Sequence, residues 1–277
     1  MIVKGRLRLL LGRRAKLKIM LKRPRRLAVR YRHLGIRDAD FLLSSFPRSG
    51  STWLRFMLGE LLSGHGADFE RIHEVIPYVG EHRHAPALLP RGGRLIKTHE
   101  LYRPRGQRTI YLVRDVRAIL PSMYKMQKRG GYPKDIGAFV QDFVAGRAGW
   151  FGSWVDHVNF WLGPEPPTSH DVLLVRFEDL REDPTAVLHE IIGFIGIEVE
   201  EPRLASAIRN NDLSRMQEKE RNAAEGTILN RRPDLPFVGS GSVAGWRQEL
   251  DSEHVAIVER AAADVLERLG YPMSLAR

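Results

Sequence analysis

From residue 41 onward the chain alternates two kinds of apolar pattern. Short segments centred on apolar residues at 41–44, 94–97, 109–113 and 172–176 predict buried strands. Between and after them, apolar residues recur every three to four positions over 51–62, 116–128, 136–145, 152–162, 184–193 and 254–269, which predicts helices. In the first of these, Trp53, Leu54, Phe56, Met57, Leu58, Leu61 and Leu62 form one apolar face. Strands separated by helices and buried on both sides read as an α/β fold: a central parallel sheet flanked by helices in three layers. Segments 78–93 and 223–245 are rich in Gly, Pro and charge and read as loops over a site. Ligands of such sheets gather at the carboxyl ends of the strands. Arg48, His99 and Arg114 each come just after a strand candidate, so the topology brings them to one edge.

Composition divides the chain in two. Of 44 Lys and Arg, 14 lie within residues 1–37, which contain no Asp or Glu; the remaining residues carry 30 basic and 33 acidic side chains. The net charge of +11 therefore belongs to a basic arm, 1–37, and the body, 38–277, is near neutral. Within the arm Leu7, Leu9, Leu10, Leu11, Leu17, Ile19, Met20 and Leu21 alternate with basic residues. A basic amphipathic helix of this kind suits an anionic membrane surface. Nucleic acid is the weaker fit, because no aromatic residue for base stacking precedes Tyr31. A solvated arm without a partner is the third reading. Arginines interrupt every candidate signal-peptide core, and no apolar run reaches the roughly 20 residues needed to span a bilayer. The absence of cysteine removes disulfides and thiolate metal sites, and a cytoplasmic location, peripheral to the membrane if the arm binds there, is the expectation.

Three motifs carry chemistry. The strand ending at Phe46-Pro47 is followed by Arg48, Ser49, Gly50, Ser51 and Thr52, and then by the helix that Trp53 opens. Backbone N–H groups, hydroxyls and a helix N-terminus converging on one point make an anion site, most naturally for phosphate. The Gly-x-x-x-x-Gly-Lys-Ser/Thr loop of nucleotide kinases is absent. The second motif is Lys97-Thr98-His99: His99 can accept a proton near neutral pH and Lys97 places positive charge beside it. The third is Arg114 followed eight residues later by Ser122, an arginine fork and a hydroxyl that suit a second phosphate.

In this order the three motifs resemble the PAPS-dependent sulfotransferases, whose P-loop-like domain matches about residues 40 to 250. The resemblance implies PAPS (3′-phosphoadenylyl sulfate) as co-substrate and no metal. It implies that Arg48, Ser49, Gly50, Ser51 and Thr52 hold the 5′-phosphosulfate, that Trp53 stacks on adenine, and that Arg114 and Ser122 hold the 3′-phosphate. It makes His99 the general base for an acceptor hydroxyl or amine, with Lys97 and Arg48 stabilising developing charge. The segments 152–161 and 175–184 resemble supporting elements of the same family, and His157 within the first reads as structural.

Two segments depart from the pattern. Leu213 stands where the family places an adenine-contacting phenylalanine. In 237–247 Gly241 and Trp246 match, but Gly239 and Ser240 replace an Arg-Lys pair that clamps the 3′-phosphate. Arg231 or Arg232 are candidate replacements. The departure keeps open a non-catalytic nucleotide-binding protein on the same fold, with a P-loop kinase as a further alternative. The acceptor side is assigned to loop 78–93, with His82, Arg83, His84 and Arg91, and to the aromatic residues Tyr78, Trp150 and Phe151. That mixture admits a small alcohol or phenol, a glycan or a lipid-linked acceptor.

Overall fold

The computed structural model of the protein describes residues 26–163, 171–227 and 236–274. Residues 1–25 of the arm, and Arg231 and Arg232, lie outside the described residues.

Four strands, β1 (Phe41–Ser45), β2 (Leu95–Thr98), β3 (Thr109–Val113) and β4 (Val172–Arg176), form one parallel sheet in the order β2-β1-β3-β4. The register pairs Leu43 with Lys97, Ser45 with Leu112 and Val113 with Arg176. The strands are mostly apolar because both faces are covered, with polar residues gathered toward their ends. On one face Leu42, Ile96, Tyr111 and Val113 pack against helices α2 (Val116–Arg129), α3 (Ile136–Val144), α4 (Trp154–Leu162) and α8 (Ser252–Arg268). On the other, Phe41, Leu43, Leu95, Ile110 and Leu112 pack against α1 (Ser51–Ser63), α5 (Pro184–Ile195) and α6 (Glu201–Asn210). The side-chain period of two thus sends alternate residues into two cores, and three layers result.

The predicted elements hold to within a few residues, and the differences have local causes. Helix α4 begins at Trp154, not Gly152, because Ser153 caps it by accepting the Asp156 N–H at 3.0 Å. Helix α5 runs through Gly193 and stops at Gly196, whose φ of 74° ends the helix. Two helices had no predicted counterpart, α6 and α7 (Leu213–Asn222). Helix α7 buries only Met216 and Glu220, so it shows no apolar period. The one-turn helices Ile72–Val75, Phe177–Glu182 and Trp246–Glu249 are too short to show one.

The edge of the sheet is tied down by a buried ion pair. Asp40, just before β1, accepts from Arg94 N (2.9 Å), Nε (3.1 Å) and Nη2 (2.6 Å), just before β2. Asp40 also accepts from Arg37 N at 2.8 Å. Burial alone would raise its pKa, but these bonds hold the carboxyl below its ordinary range. A helical segment at 26–32 ends the arm, and Arg32 Nη1 lies 2.9 Å from Glu100 Oε1 in the turn after His99.

Candidate active site

Strand β1 hands the chain to α1 through a loop in which Arg48 has φ 69° and Gly50 φ 90°. At Gly50 a Cβ would stand 2.4 Å from the Phe177 ring, so both space and backbone demand glycine. Ser51 and Thr52 open α1, and their amides have no intrahelical acceptor, whereas Trp53 N already donates to the Gly50 carbonyl at 3.0 Å. The hydroxyl of Ser49 is buried without a partner. An unspent hydroxyl beside open amides fits an anion.

Two arginines meet at this loop, Arg48 within it and Arg114 from the end of β3. Arg48 Nε donates to Ser122 Oγ at 2.9 Å, and Arg48 Nη2 donates to the Phe237 carbonyl at 2.9 Å. Ser122 lies in the middle of α2 rather than in its first turns. Arg114, after β3, donates to the Arg48 carbonyl (3.2 Å) and the Ser242 carbonyl (2.8 Å), and its guanidinium lies 4.2 Å from the Phe177 ring centre. Its Nε is buried and unpartnered. Burial, with Arg129 and Arg114 nearby, pulls the Arg48 pKa down to about 10. It stays protonated at neutral pH, in a setting short of negative charge.

The third strand end carries His99. Its Nδ1 lies 2.6 Å from the Ser45 carbonyl. A carbonyl only accepts, so Nδ1 carries the proton and Nε2 keeps its lone pair. Burial, followed by the charge of Lys97, lowers the His99 pKa well below 6.5, so the ring is neutral at physiological pH. Lys97 Nζ is buried 3.0 Å from Ser45 Oγ, 3.1 Å from the Thr98 carbonyl and 3.4 Å from His99 Nδ1. Burial lowers its pKa well below 10.5. His157 accepts from Tyr111 OH at Nδ1 (2.8 Å), and its Nε2 donates to the His99 carbonyl (3.2 Å). It therefore holds the His99 backbone from the α4 side, a connection invisible to sequence reasoning because 58 residues separate the two.

Trp53 lies on the far side of the loop. Its Nε1 donates to the Asn211 carbonyl at 2.6 Å, which draws in the turn leading to Leu213, the first residue of α7. The Arg181 guanidinium sits 5.2 Å from the Trp53 ring centre and beside Gly241, which has φ 63°. Sequence reasoning missed two cations here, Arg181 and Arg129, because each comes from an element set aside as structural or passed over.

The acceptor-side assignment is corrected in part. The rings of Tyr78 and Phe151 lie 6.5 and 5.7 Å from His99, and Trp150 packs on Phe151 at 6.1 Å. The charged residues of loop 78–93 make other contacts. His82 is fully buried and its Nδ1 accepts from Gly80 N at 3.1 Å, while Arg83 stacks on Tyr31 at 5.2 Å. His84 and Arg91 are exposed in short turns.

A parallel α/β sheet with a glycine-bearing strand–loop–helix turn after β1, and with Arg48, Arg114 and a neutral His99 at the same edge, is a P-loop-like arrangement suited to group transfer. The family model described as "Sulfotransferase domain" matches residues 38–270. The chain belongs to the PAPS-dependent sulfotransferase family. It is 25% identical to human Sulfotransferase 1C2 over 256 residues, covering 83% of this chain and 82% of that one. It is 26% identical to dog Sulfotransferase 1A1 over 260 residues, covering 83% of each. Its fold is that of mouse sulfotransferase SULT7A1 complexed with PAP (TM-score 0.64, 22% identity, 83% and 85% of the two chains). It is likewise that of retinol dehydratase in complex with retinol and PAP (TM-score 0.66, 16% identity, 88% and 84%). The kinase and non-catalytic readings are not favoured. Among the described residues no helix is long and apolar enough to cross a membrane.

Proposed function

We propose that the protein transfers a sulfuryl group from PAPS to the hydroxyl of a small acceptor with an apolar or aromatic body, with His99 as general base. The observation that carries this is the His99 tautomer: the Ser45 carbonyl occupies Nδ1 and leaves Nε2 free to take a proton. PAPS, when bound, supplies an activated sulfuryl group and leaves as PAP. The residues present fit it. The Ser49 hydroxyl, the amides of Gly50, Ser51 and Thr52, and Arg48 would hold the phosphosulfate; Arg114 and Ser122 would hold the 3′-phosphate; Trp53, Leu213 and Gly241 would frame the adenosine. His99 Nε2 takes the acceptor proton. Arg48 offsets charge on the phosphosulfate, and Lys97 keeps positive charge beside His99. Positioning and fixed charge then supply most of the rate, as in phosphoryl transfer. The rings of Tyr78 and Phe151 beside His99 favour an apolar or phenolic acceptor over a glycan. Calorimetric titration with PAP, and separately with ATP, with and without Mg²⁺, tests the nucleotide; transfer of labelled sulfate to a simple phenol and to an amino-sugar oligosaccharide tests the acceptor. Preference for PAP without a Mg²⁺ requirement and transfer to the phenol are expected. Preference for ATP with Mg²⁺ would sink the nucleotide assignment, and transfer to the oligosaccharide alone would sink the acceptor class.

The arm adds an anionic membrane surface as a partner. At 26–34 Leu27, Tyr31 and Leu34 recur at helical spacing and are 66%, 62% and 54% exposed, next to the exposed Arg26, Arg30 and Arg37. Unburied apolar residues ringed by arginine match an anionic lipid interface. The full chain is expected to pellet with phosphatidylserine-containing vesicles and not with neutral ones, and L27E/Y31E to reduce pelleting. Equal recovery of the double variant, or preference for duplex DNA over vesicles, would refute the membrane reading.

A further inference from the structure

Arg129, the last residue of α2, is 8% exposed, and among the described residues no hydrogen bond or ion pair reaches it. Its Nη1 is buried with no partner at all. Its guanidinium lies 5.5 Å from the Phe237 ring centre, and that of Arg48 lies 5.1 Å from the same ring. The nearest acid, Glu220, is spent elsewhere: its carboxylate accepts from the backbone N–H of Phe237 (2.6 Å) and Val238 (2.7 Å). Arg114, with its own unpartnered Nε, donates to Ser242 in the same segment. Three guanidinium groups therefore converge on the stretch 237–242, two of them with buried N–H groups left unused.

A buried N–H of a cation that meets no acceptor loses its water without recovering a hydrogen bond. Such a group points to a ligand. Ser122 stands seven residues before Arg129, two helical turns along the same face of α2, and it already meets Arg48. The segment that these cations approach is the one in which Gly239 and Ser240 stand in place of the family's Arg-Lys clamp.

We propose that Arg129 supplies the charge missing at Gly239 and Ser240, reaching the nucleotide's 3′-phosphate from the end of α2 instead of from the loop. This rests on the PAPS reading above. The phosphate supplies the direct acceptor that Glu220, held by the backbone of Phe237 and Val238, does not give, so the buried N–H of Arg129 is partnered when nucleotide is bound. Helix α2 then contributes two groups to one anion, Ser122 and Arg129, and Arg114 completes the cradle.

The test is binding of adenosine 3′,5′-bisphosphate (PAP) and adenosine 5′-phosphate (AMP) to the wild-type chain, R129M and R129K, by calorimetry, with melting temperatures measured without ligand. R129M is expected to bind PAP about 10- to 100-fold more weakly, the effect of removing one charged phosphate contact. Its AMP affinity should stay within about twofold of wild type. R129K should fall between. The ligand-free melting temperature of R129M should equal or exceed that of wild type, because a buried N–H without an acceptor has gone. Unchanged PAP affinity, or equal weakening of PAP and AMP, would overturn the assignment. So would a large drop in the ligand-free melting temperature, which would make Arg129 a structural residue. If wild type itself binds no PAP, the PAPS reading fails first, and this assignment with it.

Discussion

Replacing His99 with alanine is expected to lower turnover by about 10²- to 10⁴-fold, the usual worth of a general base, while PAP affinity stays close to wild type. The expectation follows from where His99 sits. It follows β2, its Nδ1 committed to the Ser45 carbonyl, beside the rings of Tyr78 and Phe151. The nucleotide contacts proposed above come from other strand ends. Single-turnover rates and calorimetry on H99A and H99Q separate chemistry from binding, and full turnover in either variant would remove His99 from the mechanism. The same geometry predicts a pH behaviour. The ring's pKa is depressed by burial and by Lys97, so in the folded protein the neutral form persists as pH falls to 6.5 and protonates only below it. The acid limb of activity should therefore lie below 6.5, and nitrogen NMR of the free enzyme at that pH should show a neutral ring protonated at Nδ1. An imidazolium signal there would contradict the assignment.

Asp40→Ala should cause the largest loss of stability, about 3–5 kcal/mol, because it strands the buried Arg94 guanidinium. Arg94 also donates to the carbonyls of His82 (2.6 Å) and Gly35 (2.7 Å), so the fork would stay in place without its counter-charge. For a chain of this size that corresponds to a fall of roughly 6–20 °C in melting temperature. The sign with pH is fixed by the lowered carboxyl pKa: the pair stabilises at neutral pH, and its contribution is lost as pH falls through the depressed value, below 3.8. Denaturant unfolding of wild type and D40A at pH 7 measures the effect. A difference below about 1 kcal/mol would place the pair with ordinary exposed ones.

The four strands were legible because β1, β2 and β3 are buried at every position and β4 at Val172 and Val175, so burial wrote short apolar runs into consecutive residues. The loop from Arg48 to Thr52, the Lys97–His99 pair and the Arg114–Ser122 spacing were legible for a related reason. Each is a local string whose geometry follows from a strand end or one helix. Helix α7 was not, because a helix that buries two side chains leaves no period to find. The charged residues of loop 78–93 misled for the opposite reason. Composition marked the loop as polar, but the fold spends His82 and Arg83 on backbone and on Tyr31, leaving Tyr78 to meet His99.

By itself, the sequence determined the layered α/β class of the fold, written in its apolar periods, and the local strings at the strand ends, from Arg48 to Thr52 and from Lys97 to His99. The tertiary structure alone decided what surrounds them: His157 holding the His99 backbone, Phe237 reaching Arg48 across 189 residues, and Arg129 beside that same ring with no ion pair among the described residues. Local patterns record which residues are buried, because burial acts on each residue separately. They do not record which buried group meets which, because that is set by packing between elements far apart in the chain.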